Sequence, residues 1–167
     1  MSIALITVVD HAMAQEDFPR IQLGVSGANM RLPAGGTTSS RHVGFVVQTG
    51  VNFGRLVGIE NYNGFYSMGR GALLATNIVG ARLVARPKSA PFMHPYGVVG
   101  VGVAHITPGG YKFGSGNMLA TRVAGGADFP LRSAVALRVD VGLLSVRPAG
   151  SFKNAINGSF GFAFRLK

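Results

Sequence analysis

The chain has 167 residues and no cysteine, which bounds it to one domain and excludes a disulfide scaffold, thiolate catalysis and cysteine-based metal sites. Its hydrophobic content is 47%, yet nowhere does it gather into the ~20 unbroken apolar residues that a transmembrane helix needs. The net charge of +10 comes from basic residues scattered singly, without the basic helix or aromatic-studded basic face of a nucleic-acid site, so no nucleic-acid partner is expected.

The first residues read as processing rather than fold. Residues 3–9 are an apolar run, and Ala12, Met13 and Ala14 give a small-x-small cleavage pattern just before Gln15. No Lys or Arg precedes Arg20, so residues 1–14 are expected to be a truncated signal peptide, with a frayed terminus as the alternative. Residues 15–167 then form a single barrel domain.

Eight segments alternate apolar and small or polar residues with a period of two. In chain order they are residues 20–31, 42–52, 55–62, 71–86, 96–107, 118–129, 131–147 and 155–166. Residues 33–40, 63–69, 108–116 and 148–151 read as Gly/Ser/Pro loops, while Phe53 with Gly54, the stretch 87–91, and Pro130 mark the other turns. Short turns on one rim and loops on the other describe an up-and-down barrel.

The two faces of each segment differ in kind. In 155–166, Ile156, Phe160, Phe162, Phe164 and Leu166 oppose Asn157, Ser159, Gly161 and Arg165. In 131–147, Val135, Leu137, Val139 and Val141 oppose Ala136, Arg138 and Asp140. Of six acids, Asp10, Glu16 and Asp17 lie in the N-terminal stretch; the other three, Glu60, Asp128 and Asp140, all fall on small-residue faces. Arg82, Arg122 and Arg138 share those faces, so three acids against three arginines predict a neutral ion-pair network inside a narrow lumen. A solvated face made of Gly and Ala with so few charges would be unusual, whereas bulky residues all round the outside suit lipid. Asn77 and the segment 96–107 fit this division least cleanly. Phe53 and Phe129, with Phe18 and Phe164, form a candidate aromatic girdle at the tight-turn rim. The predicted fold class is therefore all-β: an eight-stranded antiparallel up-and-down transmembrane β-barrel.

The C-terminus carries the most specific motif. Ser159, Gly161, Phe164 and Leu166, in the spacing polar-x-Gly-x-x-aromatic-x-hydrophobic, resemble the terminal signal of outer-membrane barrels, with Lys167 added where many members end on Phe. With the eight-strand plan, the chain resembles the OmpA/OmpX-like small outer-membrane barrel superfamily. That resemblance implies a bacterial outer-membrane location and assembly by the barrel-assembly machinery. It does not choose a function, since members include envelope stabilisers, adhesins and lipid-modifying enzymes.

No catalytic, cofactor or metal motif appears. His42, His94 and His105 are too scattered for a ligand set and read as solvated or headgroup-facing. The expected function is structural or surface-interacting, with the lumen plugged by side chains and no catalysis. Arg41, Arg70, Lys112 and Lys153 would give the loop rim a positive potential suited to lipopolysaccharide and outer-membrane lipid. A monomer is expected. The alternative is a soluble or periplasmic lipocalin-like barrel, with the Val/Leu/Phe face turned inward around an apolar ligand.

Overall fold

Strict alternation leaves each segment with one face that can meet hydrocarbon and one that cannot, and closure of the sheet puts the second inside. The computed structural model describes residues 21–33, 39–69, 71–87, 89–107, 116–147 and 152–166. Eight strands run in chain order: β1 (Ile21–Pro33), β2 (Ser39–Asn52), β3 (Val57–Gly69), β4 (Ala72–Val84), β5 (His94–Ile106), β6 (Gly116–Arg132), β7 (Val135–Arg147) and β8 (Lys153–Leu166). Each pairs antiparallel with its neighbours, and β1 closes on β8, so the sheet has no edge. The residues read as a signal peptide lie outside the described residues, as do Phe18, Arg70, Lys112 and most of the loops 33–40 and 108–116.

Two segments differ from their sequence reading. Asn63 with Gly64 reads as a turn, yet β3 continues through both to Gly69. Pairing on both sides overrides the local preference: Gly64 N–H donates to Thr76 Oγ1 at 3.1 Å, and Phe65 lies between Phe45 and Ala75. The connection to β4 is consequently short, with Gly69 and Gly71 at φ values of 80° and 79°, which favour glycine. Pro130 likewise does not begin the turn. β6 runs on to Arg132, and a register shift between Pro130 and Arg132 accommodates the residue that lacks an N–H.

The outward face is a belt of exposed Val, Leu, Ile and Phe, including Val101, Val123, Val141 and Phe160. A soluble barrel would put this face inside; here it is outside. Phe53 and Phe164 are exposed at the tight-turn end, and Phe129 is half-buried there.

The interior is divided along its axis, which the sequence reading did not anticipate. Its tight-turn half and middle hold the charged and polar side chains, beside a small apolar cluster of Val84, Tyr96 and Val98. Its loop-side half is mostly apolar, built by Met30, Val46, Tyr66, Met68, Leu74, Ile106, Leu144 and Val146, with His42 also buried at that end. There Leu32, Met68, Leu74, Ile106, Met118 and Val146, with Lys153, line a hollow of about 20 Å³.

Candidate functional site

Every second residue of β3, β4, β6 and β7 points inward, and that parity brings Glu60, Arg82, Arg122, Asp128, Arg138 and Asp140 into one cluster. Each of the six is 1% exposed. Arg138 grips Asp128 through two nitrogens, Nε to Oδ1 at 2.7 Å and Nη2 to Oδ2 at 2.9 Å. Arg82 Nη2 reaches the same Oδ2 at 3.0 Å. Arg122 pairs with Asp140, whose other oxygen accepts a hydrogen bond from the Tyr96 hydroxyl at 3.0 Å. Glu60 sits between all three arginines, at 3.6 Å from Arg82 and 3.7 Å from both Arg122 and Arg138. Its Oε2 has no hydrogen bond among the described residues, so at that oxygen the arginines act through charge rather than a directed bond.

Neutral side chains extend the cluster to every strand. From β1, Gln22 accepts from Arg138 at 3.0 Å and from Arg82. From β2, Gln48 accepts from Arg138 at 3.2 Å and donates to Glu60 at 3.4 Å. Arg122 lies 4.1 Å over the Tyr62 ring and Arg82 lies 4.2 Å over Tyr96. From β8, Asn157 donates to the Tyr62 hydroxyl at 3.0 Å. All eight strands are therefore tied across the lumen as well as around the wall. Guanidinium planes suit this role because their fixed forks bind carboxylate and amide oxygens while stacking on rings. Sequence parity and charge counting pick out the six ions; the glutamines and tyrosines were missed, although the same parity points them inward.

His42 differs from its reading as solvated. It is buried and inward, its Nδ1 donating to the Ser67 carbonyl at 3.0 Å and its Nε2 lying 2.9 Å from Ser40 Oγ. The Ser67 carbonyl can only accept, so Nδ1 carries a proton. This chain of bonds links β2 to β3 at the loop end. His105 is exposed and outward, 3.0 Å from Asn117 Oδ1. Among the described residues no group of three His, Asp or Glu is arranged to hold a metal ion.

Basic residues gather at both rims. Arg41 is exposed on the outward face at the loop end of β2, directly opposite Arg31 of β1. Arg147 is exposed and outward at the loop end of β7, 5.6 Å over the Phe152 ring. Lys153 instead has lumen parity and borders the apolar hollow. Arg31 and Arg147 end the segments 20–31 and 131–147 of the sequence reading, which did not count them among the rim cations. At the tight-turn rim Arg165 donates to His94 Nδ1 at 3.2 Å. Burial there, with Arg165, Arg55 and Arg82 nearby, draws the Arg86 guanidinium down to about 10. It stays charged at neutral pH.

The terminal strand has its own geometry. Phe164 and Leu166 point outward and Ser159 and Gly161 inward. A Cβ on Gly161 would strike the Val25 carbonyl oxygen and Ser26 of β1, so this glycine lets β8 close on β1. A Gly161→Ala variant is expected to fold less stably in detergent, where no assembly machinery is present. Unchanged unfolding would leave Gly161 no part in closure.

No protein-family model matches the chain, and no curated protein matches it. Solved structures do. Neisserial surface protein A is 13% identical, the match covering 88% of this chain and 96% of that one, with a TM-score of 0.65. Ail, the attachment invasion locus protein of Yersinia pestis, is 15% identical over 87% of this chain and 97% of its own, with a TM-score of 0.60. The outer membrane protein OprG of Pseudomonas aeruginosa is 11% identical over 87% and 95%, with a TM-score of 0.59. The fold is that of small outer-membrane barrels. At these identities the likeness is one of architecture, so function rests on this chain's own residues.

Proposed function

We propose that this chain is a bacterial outer-membrane barrel with a structural and surface-contact role, closed to permeation, and seated against lipopolysaccharide through its loop-side arginines. The carrying observation is the placement of Arg31, Arg41 and Arg147 on the outward face, at the loop end of the apolar belt. Two basic side chains directly opposite on paired strands concentrate positive potential at this rim, which draws an anionic surface. The phosphates at an outer-leaflet surface supply that negative charge at this height. A role without catalysis is supported by the engagement of the interior acids with arginines and by the closed bonds of His42. Closure is supported by the loop-side half of the lumen, which is filled mostly by apolar side chains. The terminal residues Ser159, Gly161, Phe164 and Leu166 are read as the signal for the barrel-assembly machinery.

Refolding into phosphatidylcholine vesicles with and without lipopolysaccharide tests the contact. Lipopolysaccharide is expected to raise the temperature at which the folded gel band is lost, and salt is expected to weaken the gain. Arg31→Gln with Arg41→Gln should remove most of it, at about 1 kcal/mol per basic residue near an anionic surface. No gain in the wild type, or an equal gain in the double variant, would count against this reading.

A further inference from the structure

The lipid-facing belt contains a polar patch that neither the lumen nor the rims explain. Asn61 and Asn63 of β3 and Asn77 of β4 have outward parity, and Asn77 is exposed. They stand at mid-strand. On β3 they are flanked by Val57 and Ile59 on one side and Phe65 on the other; on β4 Asn77 lies between Val79 and Ala75. Thr49, opposite Asn61 on β2, adds a hydroxyl. An amide at this depth has no water to bond, so polar groups facing hydrocarbon are held by one another or by a neighbouring protein.

The three amides satisfy each other only in part. Asn77 Nδ2 donates to Asn63 Oδ1 at 2.6 Å, and Asn63 Nδ2 donates to Asn61 Oδ1. That chain has two ends, the Asn77 Oδ1 acceptor and the Asn61 Nδ2 donor. One end is a donor and the other an acceptor, so the patch complements itself. Beside it, the outward side chains Ala75 and Ala81 are small, which allows another wall to come close. Phe45 and Phe65, stacked with centroids 4.9 Å apart, border the patch on the loop side.

We propose that the β3–β4 wall is a lateral interface for a second copy of this chain, formed around Asn61, Asn63 and Asn77 within the bilayer. The inference rests on the reading that this face meets lipid. A second copy fits better than an unrelated protein for a geometric reason. A two-fold axis along the membrane normal keeps both copies in one orientation, so each patch meets its equal at the same depth. Each amide carries both a donor and an acceptor, so like side chains meeting at one depth can bond to each other. This proposal departs from the monomer expected from sequence, where Asn77 already fitted the two-face division poorly.

The chain has no cysteine, so single cysteines report contacts cleanly. Val79, directly opposite Asn61 and 49% exposed, is replaced in a Val79→Cys variant; Phe160, across the barrel on β8, is replaced in Phe160→Cys as the control. Each is reconstituted at low protein-to-lipid ratio into phosphatidylethanolamine/phosphatidylglycerol vesicles, checked for the folded gel band, and oxidised. A covalent dimer from Val79→Cys and not from Phe160→Cys is expected. Adding Asn61→Val with Asn77→Val should cut its yield at least fivefold while the folded band persists. A folded, inserted Val79→Cys variant that stays monomeric, or that dimerises no more than the control, overturns the interface alone. Failure of the unmodified chain to insert overturns the lipid-facing reading together with it.

Discussion

Replacing Arg138 with leucine is expected to destabilise the barrel by about 3–5 kcal/mol, the cost of breaking a buried ion pair from one side. The size follows from what the guanidinium holds. It makes two charge-assisted bonds to Asp128, at 2.7 and 2.9 Å, and one each to Gln22 and Gln48, at 3.0 and 3.2 Å. It also stands 3.7 Å from Glu60. Leucine fills part of the space and leaves Asp128 with Arg82, Glu60 with one fewer cation, and two glutamine oxygens short of donors. Arg138→Lys should fall between the two, since an ammonium keeps the charge without the planar fork. Urea unfolding in lipid vesicles measures the effect. Wild-type stability in Arg138→Leu would mean that the lumen ions do not hold the cylinder together.

The second large effect is expected on the opposite face of the same strand. Val139 is outward, 37% exposed, and paired with Ala127 and Phe160. Val139→Arg would place a guanidinium in the hydrocarbon, at about 2–4 kcal/mol for a site near the midplane. The inserted fraction in vesicles should drop sharply, while Val139→Leu should insert like the wild type. Arg138 and Val139 are adjacent in sequence, so opposite requirements at the two positions test the sidedness of β7 with nothing else changed. Normal insertion of Val139→Arg would contradict the lipid-facing assignment.

Sidedness was readable from sequence because a strand has a period of two, so one well-placed charge fixes the parity of the whole segment. Asp140 and Arg138 fixed β7 in this way, and Ile156 to Leu166 fixed β8. Strand ends were less readable. Asn63 with Gly64, and Pro130, carry local turn preferences that non-local pairing overrides, and no single-segment reading contains that pairing. The apolar loop-side lumen was missed for a related reason: Met30, Leu74, Leu144 and Val146 share parity with the charged residues, and their depth along the barrel emerges only when strands are aligned. Alignment also reveals the arginine pair, since Arg31 and Arg41 are ten positions apart in sequence and face to face in register. His42 had the right parity on its own strand, but the Ser67 carbonyl that buries it belongs to another.

The most direct test of the whole account is membrane fractionation of cells expressing the chain, with the detergent extract run boiled and unboiled on one gel. The account predicts recovery in the outer-membrane fraction and a band whose mobility shifts on boiling, because a closed barrel with a bridged lumen resists detergent until heated. A protein recovered in the soluble fraction, with the same mobility before and after boiling, would contradict it.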